Sequence, residues 1–263
     1  MAELAVVPRA FIRVEGSDAE SYLQGQLSQD VTAAPSGLSL LLEPTGKVCA
    51  LLRYVRIDDT TFRLDTDAAA GDAVVARLRR FLLRTKLTIE SEELVCTRVF
   101  GSARLPQAQL ATAWSDHEPV PQDVVGPAAE DLPGADVLVD ELYNRRRIDA
   151  GVPISGVDIG PDTIPAEAGA WVIDAAVSFT KGCYTGQELV ARIDSRGGNV
   201  PRPLRVLQVS GTVESGAEVL GPDGAVAGTV TSAAGDVAMA PLSRKVDVGA
   251  EITVAGVAGT VLR

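Results

Sequence analysis

The chain has one histidine, His117, in 263 residues. A Ser-His-Asp triad or a Cys-His dyad would have to use it. Its context, WSDHEPVPQD, reads as a polar, proline-broken loop, which sets most hydrolase chemistries aside. Cysteine is scarce too. Cys49, Cys96 and Cys183 are odd in number and far apart, and none belongs to a CxxC pair or a Cys/His cluster. Neither a disulfide framework nor a structural zinc site is expected, and no metal-ligating set stands out. No run approaches the roughly 18 apolar residues that a membrane span needs. The opening, MAELAVVPRAFIRVEG, reaches Arg9, Arg13 and Glu15 before a signal-peptide core could form. The expectation is a cytoplasmic protein with no membrane partner. Gly-x-Gly-x-x-Gly and the Walker A pattern are absent as well.

Positive charge is in deficit. The net charge is −11, so the surface as a whole does not grip duplex nucleic acid. Two local exceptions stand out, RLRRFLLRTK (77–86) and YNRRR (143–147). Each reads either as a solvated helix face or as a local site for an anionic partner.

What is present is ordinary globular material, 46% hydrophobic and 22% charged, enough for two or three small domains. Phe11–Glu15 alternates like a half-buried strand. Ser17-x-x-Glu20 predicts a capping box and a helix through Tyr22, Leu23 and Leu27. Strands follow at Leu38–Leu42, Val48–Ile57 and Phe62–Asp65, with turns at 43–46 and 58–61. Val74, Leu78, Phe81 and Leu82 share one helical face, with the arginines of that helix largely on the others. Leu87–Glu90 and Leu94–Phe100 read as strands. Cys49 and Cys96 sit in apolar runs and read as buried core thiols. Residues 102–134 read as a variable connection with one short helix. A helix is expected from Asp136 to Ala150, turning Val137, Leu138 and Leu142 inward and stopping at Gly151. Residues 151–170 read as a site-shaping loop. From Pro203, short Val/Leu runs alternate with Gly and Pro-Asp-Gly breaks, the pattern of a small antiparallel barrel.

The stretch KGCYTGQE, 181–188, carries the chemistry. Thr185-x-x-Glu188 reads as a second capping box, with Leu189, Val190 and Ile193 at helical spacing. A helix starting near Gly186 would bring free N–H groups and the positive end of its dipole close to Cys183. Lys181 adds a positive charge, and both effects favour a thiolate. Gly182 and Gly186 permit tight turns and close approach. An ordinary strand–turn–helix junction with a structural cysteine explains the same residues equally well.

The longer stretch FTKGCYTGQELVARIDSRG (179–197) resembles the signature of the YgfZ family, relatives of the glycine-cleavage T-protein, GcvT. The similarity extends to SYLQGQLSQDV (21–31), RRRIDAGVP (145–153), DTIPAEAG (162–169) and the barrel-like end. T-proteins lack KGCYTGQE. The resemblance implies an α+β, three-domain, ring-like protein: residues 1–100 with 136–200 as two interleaved folate-binding subdomains, 101–135 as a variable connection, and 201–263 as a small C-terminal antiparallel β-barrel. It implies tetrahydrofolate, or a one-carbon-substituted form, as cofactor. It also implies a role in making or maintaining iron–sulfur clusters, a link to tRNA modification, and Cys183 as the functional residue. Client or assembly proteins for those clusters would be partners.

A pterin presents a ring N–H beside an amino group, which one carboxylate can accept together. In the T-protein relatives an acid in the stretch matching RRIDAG makes that contact, and Asp149 holds the position here. A surface acid at a helix end explains Asp149 as well. Asp58 and Asp59 roughly match a second acidic position, or are turn residues. Arg192 could meet the anionic glutamate tail or pair with Glu188. Glu167 and Gln187 join the site shell with Gly182, Tyr184, Gly186 and Glu188. Arg196 and Arg202 either assist or cap the junction.

Three functions follow. The first is a folate-dependent accessory protein for iron–sulfur clusters. Three unclustered cysteines do not hold a stable four-cysteine cluster within one chain. Cys183 would act transiently, as nucleophile, sulfur-exchange point or one ligand at a shared interface. The second is a genuine aminomethyltransferase, against which KGCYTGQE argues. The third is a folate- or RNA-binding module working through 77–86 and 143–147.

Overall fold

Pro8 splits the N-terminal apolar run between two sheets. It has no N–H for a ladder, and there the chain leaves β1 (Glu3–Val7) for β2 (Arg9–Glu15) in a different sheet. The computed structural model describes residues 2–101, 110–111, 121–129 and 134–263, with 110–111 described by backbone alone. After β2 come α1 (Ala19–Gln26), β3 (Ser36–Leu42), β4 (Val48–Arg56), β5 (Thr61–Asp67), α2 (Gly71–Arg80), β6 (Thr88–Glu92) and β7 (Val95–Phe100). The middle of the chain gives β8 (Leu110–Ala111), β9 (Gln122–Gly126), β10 (Asp136–Val137), α3 (Asp140–Asp149), α4 (Ala170–Ala176) and α5 (Gln187–Asp194). The last part is all strand: β11 (Leu204–Val209), β12 (Glu218–Leu220), β13 (Val226–Thr229), β14 (Ser232–Ala234), β15 (Val237–Pro241), β16 (Glu251–Val254) and β17 (Val257–Val261).

These form a mixed α/β structure with three sheets. The first, in the order β3-β4-β5-β2-β6, is antiparallel throughout. Its side chains alternate between two cores. Ile12, Leu41, Leu52 and Leu64 pack with Leu23 of α1 and with Val74 and Leu78 of α2. Leu40, Leu42 and Val48 face the other way, against Val172 and Ala176 of α4 and Val190 of α5. The second sheet runs β10-β1-β7-β9-β8. The third is seven-stranded and antiparallel, β13-β12-β16-β17-β11-β15-β14, and curls into a half-barrel around Leu207, Val219, Ala240 and Val254. A Gly228–Leu242 bridge draws its two ends together. Among the described residues no helix is long and apolar enough to cross a membrane.

A buried latch ties the half-barrel to α3. Asp158 accepts from Arg147 (2.9 Å), the Ile154 N–H (2.9 Å) and the hydroxyls of Thr231 (2.5 Å) and Ser232 (2.6 Å). Arg147 closes the loop by donating to Ser232 at 2.7 Å. The end of α3 forms as expected, with Gly151 at φ +68. Its N–H reaches Ile148 O and that of Val152 reaches Arg147 O, a six-residue C-cap.

Several sequence expectations are corrected. The α1 capping box does not form: Asp18 is the N-cap, its carboxylate accepts from the Lys86 N–H rather than from the helix, and Glu20 is drawn to Arg56. The helix expected from Asp136 begins at Asp140, because Asp136–Val137 add to the open edge of β1. Val137 and Leu142 are exposed, and of the expected trio only Leu138 is buried. Within 102–134 the described residues give strands β8 and β9 rather than a helix. The remainder of that stretch, His117 included, lies outside the described residues. Arg77 does not face solvent. It is buried, donating to Leu42 O and Gln26, with its guanidinium 4.2 Å from the Phe81 ring centroid.

Candidate functional site: the KGCYTGQE loop and the cavity beside α5

The motif loop lies on the end of α1. Helix ends leave carbonyls without intrahelical partners, and the Lys181 ammonium takes three acceptors there: Gln24 O at 2.7 Å, Leu27 O at 2.8 Å and Gln29 O at 2.9 Å. Burial pulls this ammonium down to about 8, with the Asp30 carboxylate opposing the shift. The Ser178 N–H reaches Ser28 O and the Thr185 N–H reaches Gly25 O. Thus SYLQGQLSQDV is the cradle of the motif.

The second capping box is also replaced. Gly186, at φ +86, is the N-cap of α5, and Thr185 faces α1 instead. The Gln187 side chain folds back to accept from the Tyr184 N–H at 3.1 Å. Tyr184 is buried among Leu40, Leu42 and Val190, and burial pushes its phenol up to about 12. Gly186 rests on the β3–β4 turn, where an added Cβ would stand 2.7 Å from Glu43 O. Gly182 is exposed, and a Cβ there would meet nothing within 4 Å, so the close approach expected of both glycines belongs to Gly186 alone. Glu188 is exposed.

Cys183 is free and exposed. Cys49 and Cys96 are buried, as expected. Burial, reinforced by Glu43, pushes the Cys49 thiol up to about 11. Burial, reinforced by Asp123, pushes Cys96 up to about 12. Of the three thiols, Cys183 alone is open to solvent.

A cavity of about 520 Å³ lies beside α5, between α4, the turn at Pro165–Ala168 and β11. Its walls are apolar and aromatic, with Trp171, Phe179, Ile173, Val190, Ile193 and Met239. Four charged residues also line it, Asp174, Asp194, Arg205 and Arg263. The buried Nε of Arg205 has no hydrogen-bond partner among the described residues. An apolar space with a few charged groups at its walls has the character of a small-molecule site. The described residues contain no group of three or more His, Cys, Asp or Glu that could hold a metal.

No family model matches the chain. A tRNA-modifying protein YgfZ from Serratia proteamaculans (strain 568) is 30% identical over 259 residues, covering 86% of this chain and 78% of the relative. The chain belongs to the YgfZ family. A tRNA-modifying protein YgfZ from Escherichia coli O157:H7 (strain EC4115 / EHEC) is 29% identical over 221 residues, covering 72% of this chain and 67% of the relative. The fold is that of an aminomethyltransferase. The crystal structure of glycine cleavage system aminomethyltransferase T from Bartonella henselae superposes with a TM-score of 0.79. It covers 100% of this chain and 85% of its own at 19% identity, a likeness of fold alone.

In this YgfZ chain the residues expected around a folate do not converge. Asp58 and Asp59 sit in the β4–β5 turn, where Asp58 accepts from the Thr60 N–H. The nine residues of β4 put that turn roughly 27 Å from the one that carries Gly186. Arg192 is exposed, about 200° around α5 from Val190, which lines the cavity. No ion pair joins it to Glu188 among the described residues. Glu167 is buried and spent on the N–H groups of Ile164 and Arg202, which fixes the entry to the half-barrel. The Arg202 and Arg196 side chains are exposed. Asp149 lies 3.8 Å from Arg145, and the next two residues, Ala150 and Gly151, line the cavity. Arg145 also pairs with Asp236, Arg146 with Glu3 and Arg147 with Asp158, so YNRRR is no open basic patch. Sequence reasoning missed Trp171, Phe179, Asp174 and Arg205. A signal existed: a chain only 4% aromatic places Trp171 and Phe179 within nine residues, just before the motif.

Proposed function

We propose that this YgfZ-family chain binds a reduced folate in the cavity beside α5 and acts, through Cys183, as an accessory protein in iron–sulfur cluster assembly or repair linked to tRNA modification. The observation that carries the reading is the pairing of that cavity with the single exposed thiol. Phe179 lines the cavity, and Cys183 follows it by four residues, within about 14 Å along the chain. Folate brings a one-carbon carrier and needs three things of its site. Trp171 and Phe179 offer faces for the pterin and aminobenzoyl rings. Asp174, Asp194 or Asp149 offers a carboxylate to the pterin N–H and amino groups. Arg205 and Arg263 offer guanidinium groups to the glutamate tail. The relatives' name, tRNA-modifying protein, supports the tRNA link. Of the two basic stretches, 77–86 retains exposed cations at Arg80, Arg84 and Lys86 to meet it. The three sheets support a three-lobed, ring-like reading, with 1–100 and 136–200 as two interleaved subdomains and 201–263 as the third. A cytoplasmic setting belongs to the same proposal, supported by three free cysteines.

Calorimetric titration with tetrahydrofolate tests the site. Trp171→Ala and Arg205→Met are each expected to weaken binding about tenfold or more, while Cys183→Ala leaves it intact. Asp149→Ala beside Asp174→Asn identifies the carboxylate that receives the pterin. In cells lacking their own YgfZ, Cys183→Ala is expected to lose complementation. Absence of binding to any reduced folate sinks the folate reading. Turnover with a lipoylated aminomethyl carrier would favour aminomethyltransferase instead, and none is expected.

A further inference from the structure

We infer that Lys181 is a positioning residue: its ammonium pins the motif loop to the end of α1, so that Cys183 is presented on a fixed crest. The inference rests on the reading of Cys183 as the working thiol. An ammonium has three protons, and here all three are committed, at 2.7, 2.8 and 2.9 Å, to backbone carbonyls of Gln24, Leu27 and Gln29. None remains to donate to the sulfur. The carbonyl end of a helix favours a cation, so the contact also gains from the α1 dipole. The Tyr184 ring centroid lies 5.3 Å from the same ammonium. Ser178 and Thr185, on either side of Lys181, bind Ser28 O and Gly25 O at 3.0 Å each. Residues 178, 181 and 185 therefore all land on one short stretch, 25–29 with Gln24. Between them Gly182 and Cys183 stand exposed. The lysine replaces what a bound cation would do at a cluster of converging carbonyls. Its deletion frees the crest without touching the thiol.

The test uses the full chain, with hydrogen exchange over 178–185 and the pH–rate profile of Cys183 alkylation by iodoacetamide. Lys181→Met is expected to speed exchange in the loop about tenfold or more and to leave the inflection of the alkylation profile in place. Lys181→Ala is expected to show the same loosening, with protection partly restored by ethylammonium chloride and not by sodium chloride. If Lys181→Met moves the inflection upward with exchange unchanged, Lys181 acts on the thiolate and the positioning role is overturned. Unchanged exchange and unchanged inflection overturn it as well. Should Lys181→Met fail to fold, Lys181→Arg keeps the charge with poorer geometry and is expected to give an intermediate exchange rate. Retained complementation by Cys183→Ala would sink the working-thiol reading while leaving the exchange result standing.

Discussion

Asp123→Ala is expected to destabilise the protein by about 3–5 kcal/mol, the cost of leaving buried cations without their counter-charge. Asp123 on β9 is wholly buried. It receives Nε of Arg98 at 2.8 Å and a terminal nitrogen at 2.7 Å, together with Arg53 of β4. Arg53 continues to Asp65, which also holds Arg9 at 2.6 Å. The chain of charges thus staples the first sheet to the second. Exposed pairs are worth about 1 kcal/mol or less, but Arg53, Arg98, Asp65 and Asp123 are all buried. A loss of this size is a large part of the 5–15 kcal/mol typical of a domain, and urea denaturation measures it. The double variant Arg98→Met with Asp123→Leu is expected to recover part of the loss, because it removes one stranded charge and fills the volume. A cost of Asp123→Ala below about 1 kcal/mol would mean that water reaches these arginines.

The same network sets the acid limit of the fold. Burial alone would raise the Asp123 carboxyl, but Arg98 and Arg53 outweigh it and hold the group well below the usual carboxylate range. Asp65 is likewise raised by burial and lowered further by Arg53 and Arg9. A carboxyl depressed in the fold contributes stability that is full above its unfolded pKa, about 3.9, and is lost as pH falls below that value toward the folded one. Stability is therefore expected to drop steeply below about pH 4. In Asp123→Asn the slope there is expected to be shallower by up to about 1.4 kcal/mol per pH unit, one proton fewer.

Most strands were legible because their signals are local. Leu38–Leu42 and Val48–Ile57 announce themselves by composition, and Gly151 stops α3 because it alone accepts φ +68 without strain. The motif helix was legible from Val190 and Ile193. In each capping box one side chain is turned instead to a residue distant in sequence, Glu20 to Arg56 and Thr185 to Gly25 O. Pairing through the fold likewise dissolved the YNRRR patch. Glu3 and Asp236 are distant in sequence from α3, and Asp158 reaches back to it only through the fold of the loop that follows the helix. The cavity depends on four separate elements meeting, so its walls could not be read one segment at a time. Lys181 was read as a neighbour of Cys183 because sequence shows separation, not direction, and its ammonium points to α1.

Gly186→Ala is expected to cost about 2–5 kcal/mol, combining the strain of a non-glycine residue in the left-handed region with overpacking against backbone. The φ of +86 asks for glycine on its own account. Space asks for it again: a Cβ would lie 2.7 Å from Glu43 O, 2.8 Å from Leu42 Cβ and 3.1 Å from the Gly46 Cα. Gly46, at φ +84, faces it across the contact, and a Cβ there would stand 2.4 Å from Leu189 Cβ. Two glycines 140 residues apart in the chain thus let the start of α5 sit directly on the β3–β4 turn. Because both substitutions pry open one contact, Gly46→Ala with Gly186→Ala is expected to cost less than the sum of the two, by about 0.5–3 kcal/mol. Denaturant titration of the cycle measures the coupling, and additivity within about 0.5 kcal/mol would show that the glycines act independently. The functional consequence follows from position. Gly186 lies three residues after Cys183, so tilting α5 off the turn moves the exposed thiol relative to the cavity that Val190 and Ile193 line. Gly186→Ala is therefore expected to weaken complementation beyond what its loss of stability explains, whereas Gly182→Ala, in open space, leaves it close to wild type.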